Sequence, residues 1–463
     1  MDTRSTPKEV LAKEELAKKM LEWLDARPDI KNLRVGLCDL NGIMRGKLIP
    51  VSQAKKALMG GLRIPLSTTS VDIWGNDIEN SELVYETGDG DGVLEWTGRD
   101  ILPMDWMGQP TGLIPLWLAD EKGAPFSADP RRALASVLGQ YAALGLKPVV
   151  ATELEFYLVD PGQVRPTAPK SPVTGKSLDA NAVLSIDEID HFDAFFNDVY
   201  AACADMGVPA DAAIAEGGAG QFEINLIHRD DAMQAGDDAM LFKRIIKGMA
   251  RKHNLTASFM AKPYGERAGN GLHIHFSLLD ENGDNVFNDG SDEGSKTLQY
   301  AVAGLLEAMQ ESTLIFAPHL NSYRRLQPQT HAPSVVCWGY ENRHAAIRIP
   351  GGPPQARRIE HRVAGADANP YLVLAAILGA ALAGIKAEKM PAAPIAGDNY
   401  AVNPPQLPTD WRSAIRAFEE GNVLPSVFSP MLRTLYASCK NQEYAGFAER
   451  VTDFEYKTYL ETT

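Results

Sequence analysis

One stretch of alternating apolar and polar residues constrains the fold of this chain more than any other part of it. It covers residues 151–158, reads ATELEFYL, and is bounded on both sides by a dipeptide that ends in proline. Alternation with a period of two predicts a β-strand. On such a strand Glu153 and Glu155 share one face and lie about 7 Å apart, given the rise per residue. Two carboxylates at that distance repel each other unless water surrounds them or a cation lies between them.

Three further segments show the same pattern of an apolar face and a face rich in acids, histidines and arginines. They are residues 220–226 (GQFEINL), 271–278 (GLHIHFSL) and 358–363 (RIEHRV). A glycine-rich turn before the first of them is expected to bring Glu216 beside the acid of that strand. The polar residues expected on the common face are Glu153, Glu155, Glu216, Glu223, His273, His275, Ser277, Arg348, Arg358, Glu360 and Arg362.

The composition of this common face points to metal and phosphate chemistry. A single alternating strand is also compatible with an ordinary antiparallel sheet that has one solvated face. The combined face, however, holds five glutamates, two histidines and three arginines but no lysine. Glutamate with histidine and without cysteine favours Mg²⁺ or Mn²⁺ over Zn²⁺, and arginines suit phosphate or a carboxylate substrate. A metal cluster with arginines and no covalent nucleophile favours phosphoryl transfer.

Length and composition fit a cytoplasmic enzyme of two domains. A chain of 463 residues is longer than those that usually fold around a single hydrophobic core, so two domains are expected. A formal net charge of −15 argues against a nucleic-acid-binding protein and is compatible with a cationic substrate. The four cysteines form no CxxC pair and are expected to be reduced thiols. The longest uncharged apolar run, residues 371–385, is short for a membrane span and fits a buried helix better, so we expect no membrane insertion.

The chain divides by pattern into three parts. Residues 1–26 carry charges and leucines at helical spacing, which predicts an amphipathic helix and not a signal peptide. Residues 27–120 contain short strand-like runs, including a hairpin around Asn41-Gly42. Residues 121–463 alternate strands with longer helices. The helices predicted in this last part are residues 130–144, 188–206, 236–253, 295–311, 366–386, 409–420 and 429–449.

Taken together, the segments resemble the glutamine synthetase superfamily. Six of them match in the family's order: TELEFYL, EGGAGQFEINL, KPYGERAGNGLHIHFSL, NSYRRL, NRHAAIRIP and RRIEHRVAGADANPYL. The resemblance runs over nearly the whole chain. It implies an α+β fold, with an N-terminal β-grasp domain and a catalytic domain whose curved antiparallel sheet is flanked by helices. It also implies a homo-oligomer, commonly a dodecamer of two stacked hexameric rings, with active sites between neighbours.

The resemblance implies a role for each residue of the face. The implied ligands of a first metal ion are Glu155, Glu216 and Glu223. The implied ligands of a second ion, which touches the nucleotide, are Glu153, His273 and Glu360. The residues implied near ATP are His275, Ser277, Arg348 and Arg358. Those implied to bind glutamate or the transferred phosphate are Gly269, Arg325, Arg343 and Arg362, of which Arg343 and Arg362 are the implied catalytic arginines.

The implied chemistry has two steps, and departures from the family pattern concern the second. ATP phosphorylates the γ-carboxylate of glutamate, and an amine then attacks the acyl phosphate. Ammonia-using members carry one acid in the flap after the arginines and another in the N-terminal domain. At these positions the chain has His331 and the acid-free stretch 67–71, with Asp72 close by. A site for ammonium needs compact negative charge, so we expect a larger amine. The segments are most similar to the γ-glutamylpolyamine synthetases, which ligate glutamate to putrescine or related amines.

Other interpretations remain open at this point. The amine is alternatively methylamine or ethanolamine, or ammonia itself, as in a glutamine synthetase. His331 is a candidate base for the amine, and packing in the flap explains it equally well. Ala268, where many family members have asparagine, leaves room for an acid other than glutamate. A non-catalytic relative is disfavoured because all six implied metal ligands are present.

Overall fold

A β-sheet formed by the N-terminal part of the chain is the first of two that organise the fold. The computed structural model describes residues 7–162, 164–179, 181–328, 330, 332–397 and 404–463. The strands of this sheet are β1 (Asn32–Cys38), β2 (Met44–Pro50), β3 (Leu62–Pro65), β4 (Asp91–Trp96), β5 (Leu102–Pro103) and β6 (Gly112–Ala119). Their order is β2-β1-β6-β4-β3, with β5 paired to β6. The first two strands form the predicted hairpin, in which Gly42 takes a φ of 73° that favours glycine.

A second, larger sheet lies in the remainder of the chain. Its strands are β7 (Lys147–Val159), β8 (Ala210–Ala215), β9 (Gln221–Arg229), β10 (Thr256–Ser258), β11 (Leu272–Leu279), β12 (Trp338–Tyr340), β13 (Ile347–Ile349) and β14 (Ile359–His361). The order is β12-β13-β14-β11-β7-β9-β8, with β10 paired to β7. The expectation of an antiparallel sheet is correct except at one edge, where β12 and β13 are parallel. There residues 341–346 carry the chain back to the starting end of β12.

Helices pack around these sheets. They are α1 (Pro7–Asp25), α2 (Ala54–Leu58), α3 (Pro130–Ala142), α4 (Ile186–Asp190), α5 (Asp193–Asp205), α6 (Ala232–Lys252), α7 (Lys296–Phe316), α8 (Pro370–Ala387), α9 (Trp411–Glu420), α10 (Pro430–Ala448) and α11 (Asp453–Tyr459). The helix predicted over 188–206 is two helices, because the chain breaks at Phe192 to turn this side chain into the core. The short helices α2 and α11 were not predicted.

The apolar helix α8 lies in the interior of the protein. Asn369 caps its N-terminus by accepting hydrogen bonds from two backbone N–H groups, and Pro370 fits its first turn. The helix is long and apolar enough to cross a membrane, but 78% of that stretch is buried within the protein. It packs closely on α7, since a Cβ on Gly304 would lie 2.1 Å from the carbonyl oxygen of Ala380. The prediction of a buried helix over 371–385 is confirmed.

A buried ion pair joins α10 to the N-terminal hairpin. Lys440 and Glu443 are both fully buried, and their charged groups lie 2.9 Å apart. Glu443 also accepts hydrogen bonds from the side chain of Asn41 at 2.9 Å and from the backbone N–H of Ile73 at 2.8 Å. Lys440 in turn donates to the side chain of Asn41. Each charge therefore has the additional polar partners that a buried pair requires.

Candidate active site

The register of the second sheet places the predicted residues opposite one another. On β7, Leu154, Phe156 and Leu158 are fully buried, as the alternation predicted. On the other face, strand pairing sets the acids and histidines side by side in neighbouring strands. The facing pairs are Glu155 with Glu223, Glu153 with His273, and His275 with Glu360. Four strands therefore contribute to one continuous polar surface.

Three carboxylates form the first cluster on this surface. Oxygen atoms of Glu155, Glu216 and Glu223 all lie within 4.8 Å of one another. The predicted turn brings Glu216 into place, where its N–H donates to the carbonyl of Gln221 at 2.9 Å. Burial and the neighbouring charge of Glu155 raise the pKa of Glu216 to about 7 and that of Glu223 to about 10. Like charges that raise each other's pKa in this way fit a bound divalent cation, which would neutralise them.

A second cluster adjoins the first and is joined to it through Glu223. Its donor atoms form two trios that share Glu153, one with His273 and Glu223 and the other with His275 and Glu360. The predicted ligand set of Glu153, His273 and Glu360 is spread over both trios and stays a prediction. The carboxylate of Glu153 lies 2.8 Å from His275 Nε2 and 3.2 Å from His273 Nδ1. Although burial opposes it, these two histidines hold the pKa of Glu153 well below its ordinary value. The donor set of carboxylates and imidazoles fits Mg²⁺ or Mn²⁺.

Two arginines hold the carboxylate of Glu360 at this surface. Arg348 Nη1 lies 2.8 Å from Glu360 Oε2, and Arg362 contacts the other carboxylate oxygen. Burial opposes ionisation of Glu360, but the positive charge of Arg362 and the neighbouring histidines lower its pKa to about 2. Glu360 is therefore ionised across the physiological range. Arg358 completes this edge of the surface, with its Nε 3.3 Å from His275 Nδ1.

Two glycines let the loop before β11 pass close to a buried arginine and to the carboxylate clusters. A Cβ on Gly271 would lie 3.0 Å from Arg325 Nη2, 3.1 Å from His273 Nε2 and 3.3 Å from Glu155 Oε1. At the neighbouring Gly269, a Cβ would lie 2.9 Å from Arg325 Cγ. A side chain at either position would therefore crowd Arg325.

A cavity of about 690 Å³ opens at the other end of the surface. Its walls come from β7, β9 and β11 and from the loop before β14. The predicted residues that line it are Glu153, His275, Ser277 and Arg358. This volume lies within the ordinary range for a small-molecule pocket. The predicted nucleotide residues His275, Ser277 and Arg358 thus share one cavity, and Arg348 adjoins it through Glu360.

Two of the predicted residues are not part of these contacts. The side chain of Arg343 is exposed, and no hydrogen bond or ion pair ties it to the described part of the chain. His331 lies outside the described residues. Their predicted roles stay predictions.

The N-terminal stretch 67–71 has a carboxylate beside it, although none was expected. Asp89 accepts hydrogen bonds from the Ser67 hydroxyl at 2.9 Å and from the Ser67 backbone N–H at 3.1 Å. Asp72 is not this carboxylate, because it accepts hydrogen bonds from the backbone N–H groups of Trp74 and Asn76 within its own turn. The absence of an acid from the stretch itself is therefore weaker support for a larger amine than the sequence indicated.

Gln221 lies on the polar face of β9 that the alternation predicts, but the sequence alone assigned it no role in the site. Gln221 shares the polar face with Glu223, and its amide donates to the carbonyl of Gly269 and to the side chain of Asn270, each at 3.0 Å. It thereby holds the glycine loop against the carboxylates. An amide on a face of acids was the signal for this role.

Addition of Mg²⁺ is expected to stabilise the protein more at about pH 8 than at about pH 6. Glu216 and Glu223 have a pKa of about 7 and about 10 in the folded protein, above the value of about 4.5 for an exposed glutamate. The folded, metal-free protein therefore binds more protons than the unfolded chain, and this contribution to stability is lost as pH rises from about 4.5 through these values. A cation replaces those protons. Thermal unfolding with and without Mg²⁺ measures the effect, with K⁺ at equal ionic strength as control. An equal Mg²⁺-induced shift at both pH values would contradict it.

Comparisons with known proteins agree with this geometry. A family model described as glutamine synthetase, catalytic domain, matches residues 127–459. The γ-glutamylputrescine synthetase PuuA of Escherichia coli (strain K12) is 39% identical over 443 residues, which cover 95% of this chain and 93% of the relative. A glutamate–isopropylamine ligase of a Pseudomonas species is 30% identical over 97% of this chain and 99% of its own. A solved structure of a GmaS–ADP complex superposes with a TM-score of 0.82 at 28% identity, covering 95% of this chain and 99% of the other.

Proposed function

The chain belongs to the glutamine synthetase family, and on this premise we propose that it is an ATP-dependent ligase that joins the γ-carboxylate of glutamate to a polyamine such as putrescine. Its fold is the glutamine synthetase catalytic fold, with mixed sheets flanked by helices. The observation that carries the choice of amine is the 39% identity to γ-glutamylputrescine synthetase, which extends over 95% of this chain. The proposed product is γ-glutamylputrescine, and the proposed context is polyamine catabolism within nitrogen metabolism.

The two ends of the polar surface support separate binding sites for ATP and for glutamate. We assign ATP to the cavity lined by His275, Ser277 and Arg358, and glutamate to the region of Gly269 and Arg325, next to the first carboxylate cluster. The carboxylate clusters lie between them, where the γ-phosphate and the γ-carboxylate meet. Bound divalent cations would neutralise the phosphate oxygens and the attacking carboxylate there. The proposed ligands are Glu155, Glu216 and Glu223 for one ion, and Glu153, His273 and Glu360 for another.

The residues of this chain then act by positioning and by charge. Arg362 and Arg348 are held by Glu360, so their guanidinium groups are fixed before substrate binds. We propose that Arg362, with Arg343 from the neighbouring loop, stabilises the charge on the transferred phosphoryl group. The γ-carboxylate of glutamate attacks the terminal phosphorus, ADP leaves, and the amine nitrogen then attacks the acyl carbon and releases phosphate. Water must be kept out, since it would hydrolyse the acyl phosphate.

The second step of the proposed reaction needs a base that takes a proton from the incoming amine. His331 is proposed as a base for the incoming amine, because a neutral imidazole accepts a proton. A second candidate function is ligation to a small alkylamine. It is favoured by the relation to a glutamate–isopropylamine ligase over 97% of this chain.

The remaining features of the assembly are proposals of the same kind. We propose that residues 27–120 form a β-grasp domain, which the six-stranded N-terminal sheet supports, and that residues 121–463 form the catalytic domain. We propose a homo-oligomer of stacked hexameric rings. A cytoplasmic location is supported by the cysteines, all four of which lie in the described part of the chain as buried thiols with no disulfide between them.

Putrescine is expected to stimulate glutamate-dependent release of ADP far more than ammonium does. The measurement is ADP release with Mg²⁺ and glutamate against a panel of ammonium, methylamine, ethanolamine, putrescine and spermidine, with mass spectrometry of the products. Reactions without glutamate are the control for plain ATP hydrolysis. A preference for methylamine or ethanolamine would support the second candidate. A preference for ammonium would contradict both and identify an ordinary glutamine synthetase.

A further inference from the structure

We propose that Asp367 and Lys243 together set the position of Arg325, and are thus positioning residues for binding of the substrate carboxylate. The inference rests on the proposed function, because it takes glutamate as the ligand of Arg325. Neither residue was singled out by the sequence, and neither belongs to the polar surface of the second sheet.

Arg325 has little freedom of its own. Its side chain is 5% exposed, and its Nη1 donates to the carbonyl oxygen of Val363 at 2.7 Å. Its backbone N–H donates to the carbonyl oxygen of Ser322 at 3.0 Å, which closes the short turn 320–324. The direction of the guanidinium group is therefore set by two supports, namely the chain after β14 and the turn that begins near Ser322.

Asp367 ties these two supports together. Its Oδ2 accepts a hydrogen bond of 2.6 Å from the hydroxyl of Ser322. The same hydroxyl accepts from the backbone N–H of His319 at 3.1 Å, so the carboxylate orients the first residues of the turn. Asp367 stands four residues after Val363, on the same chain segment that receives the Arg325 guanidinium. A shift of this carboxylate would therefore move both supports of the arginine relative to each other.

Lys243 holds the backbone on both sides of Asp367. This residue of α6 is buried, and its Nζ donates to the carbonyl oxygens of Ala366 at 2.7 Å and Ala368 at 3.3 Å, the two neighbours of Asp367. The charge of Asp367 favours the ammonium form of Lys243, although burial lowers the pKa of the lysine to about 8. The lysine thus clamps the peptide on both sides of the carboxylate.

The charges of Asp367 and Lys243 indicate a role beyond stabilising the fold. Burying a charged group costs free energy unless polar partners compensate it. Asp367 Oδ1 is buried and has no hydrogen-bond partner among the described residues. Its charge acts on Arg325, for which Asp367 and Glu155 are the acids that favour the charged form. A negative charge behind the arginine both orients the guanidinium and limits how tightly it holds the substrate carboxylate.

The test separates glutamate binding from ATP binding. In Asp367→Ala, we expect the KM for glutamate to rise about 10-fold, the size expected for one lost charge-assisted hydrogen bond, while the KM for ATP stays within about 2-fold. Asp367→Asn, whose amide oxygen still accepts from Ser322, should lie between this variant and the wild type. Lys243→Met should also raise the KM for glutamate selectively.

A matched control is Glu311→Gln, which alters a buried carboxylate that accepts from the backbone N–H groups of Val423 and Leu424. It should leave both KM values unchanged. If Asp367→Ala does not fold, Ser322→Ala removes only the hydroxyl and must show the same selective rise. Equal changes in both KM values, or a loss of stability alone, would overturn the proposal. A wild-type protein without glutamate-dependent turnover would instead overturn the proposed function on which it rests.

Discussion

Replacing Glu360 with alanine is expected to reduce ligation by about 10³-fold, the upper range for loss of one preorganised electrostatic group. The carboxylate neutralises Arg348 and Arg362 and belongs to a trio with Glu153 and His275. Its loss removes a proposed metal ligand and leaves two guanidinium groups without their carboxylate, at the place where we propose that ATP and glutamate meet. The measurement is ADP release that depends on both glutamate and putrescine.

The matched control for this variant is Glu341→Ala. Glu341 also faces Arg348, at 3.4 Å, but its side chain is 59% exposed and it belongs to no metal-ligand group. It should retain most of the activity, because an exposed ion pair contributes little. Circular dichroism and size-exclusion chromatography should show that both variants fold and assemble as the wild type does. Full activity in Glu360→Ala would contradict the assignment of the metal site.

Replacing Glu443 with alanine is expected to reduce the free energy of unfolding by about 3–5 kcal/mol, as for other buried pairs that lose one partner. The variant leaves Lys440 buried beside Asn41 without its counter-charge, and the backbone N–H of Ile73 loses its acceptor. Thermal and urea unfolding at equal protein concentration measure the loss. Activity should change only through the amount of folded protein, since Glu443 lies on α10 and outside the metal-ligand groups.

Two further variants test this prediction, one as a surface control and one that removes both charges of the pair. Glu449→Ala, at the exposed end of the same helix, should change stability by less than about 0.5 kcal/mol. The double variant Lys440→Met with Glu443→Leu should recover much of the loss, because it removes both charges together. A loss below about 1 kcal/mol in Glu443→Ala would mean that the pair contributes no more than a surface ion pair does.

The strands of the site could be predicted from the sequence because their alternation is a local property. In β7, apolar Leu154 and Phe156 determine which face is buried, and Glu153 and Glu155 follow on the other. The facing pairs could not be predicted in this way. The contact of His275 with Glu360 depends on which strands are neighbours, and β14 joins β11 only after the 79 residues 280–358 have intervened. The resemblance to a family grouped Glu360 with His273 and did not imply its contact with His275.

Residues that support the site without lying on its polar surface show no pattern in the sequence. Asp367 and Lys243 stand 124 positions apart and on different elements, and only packing of α6 against the loop before α8 brings them together. Asp89 reaches Ser67 from a separate loop in the same way. The contacts of Arg348 and Arg362 with Glu360 have a similar origin, since these arginines come from β13 and from the residue after β14. These are consequences of tertiary packing, which periodicity does not encode.

The contact between Asn41 and α10 also has a consequence for the order in which the protein is made. Asn41 precedes Lys440 by 399 positions. At a synthesis rate of about 5–20 residues per second, the hairpin around Asn41 leaves the ribosome roughly 20–80 s before its partners exist. Until then the N-terminal sheet lacks the charged pair that covers its turn. The sheet therefore completes its folding only after the ribosome has made almost the entire chain, and transcripts that end before α10 should yield a product that chaperones and proteases treat as unfinished.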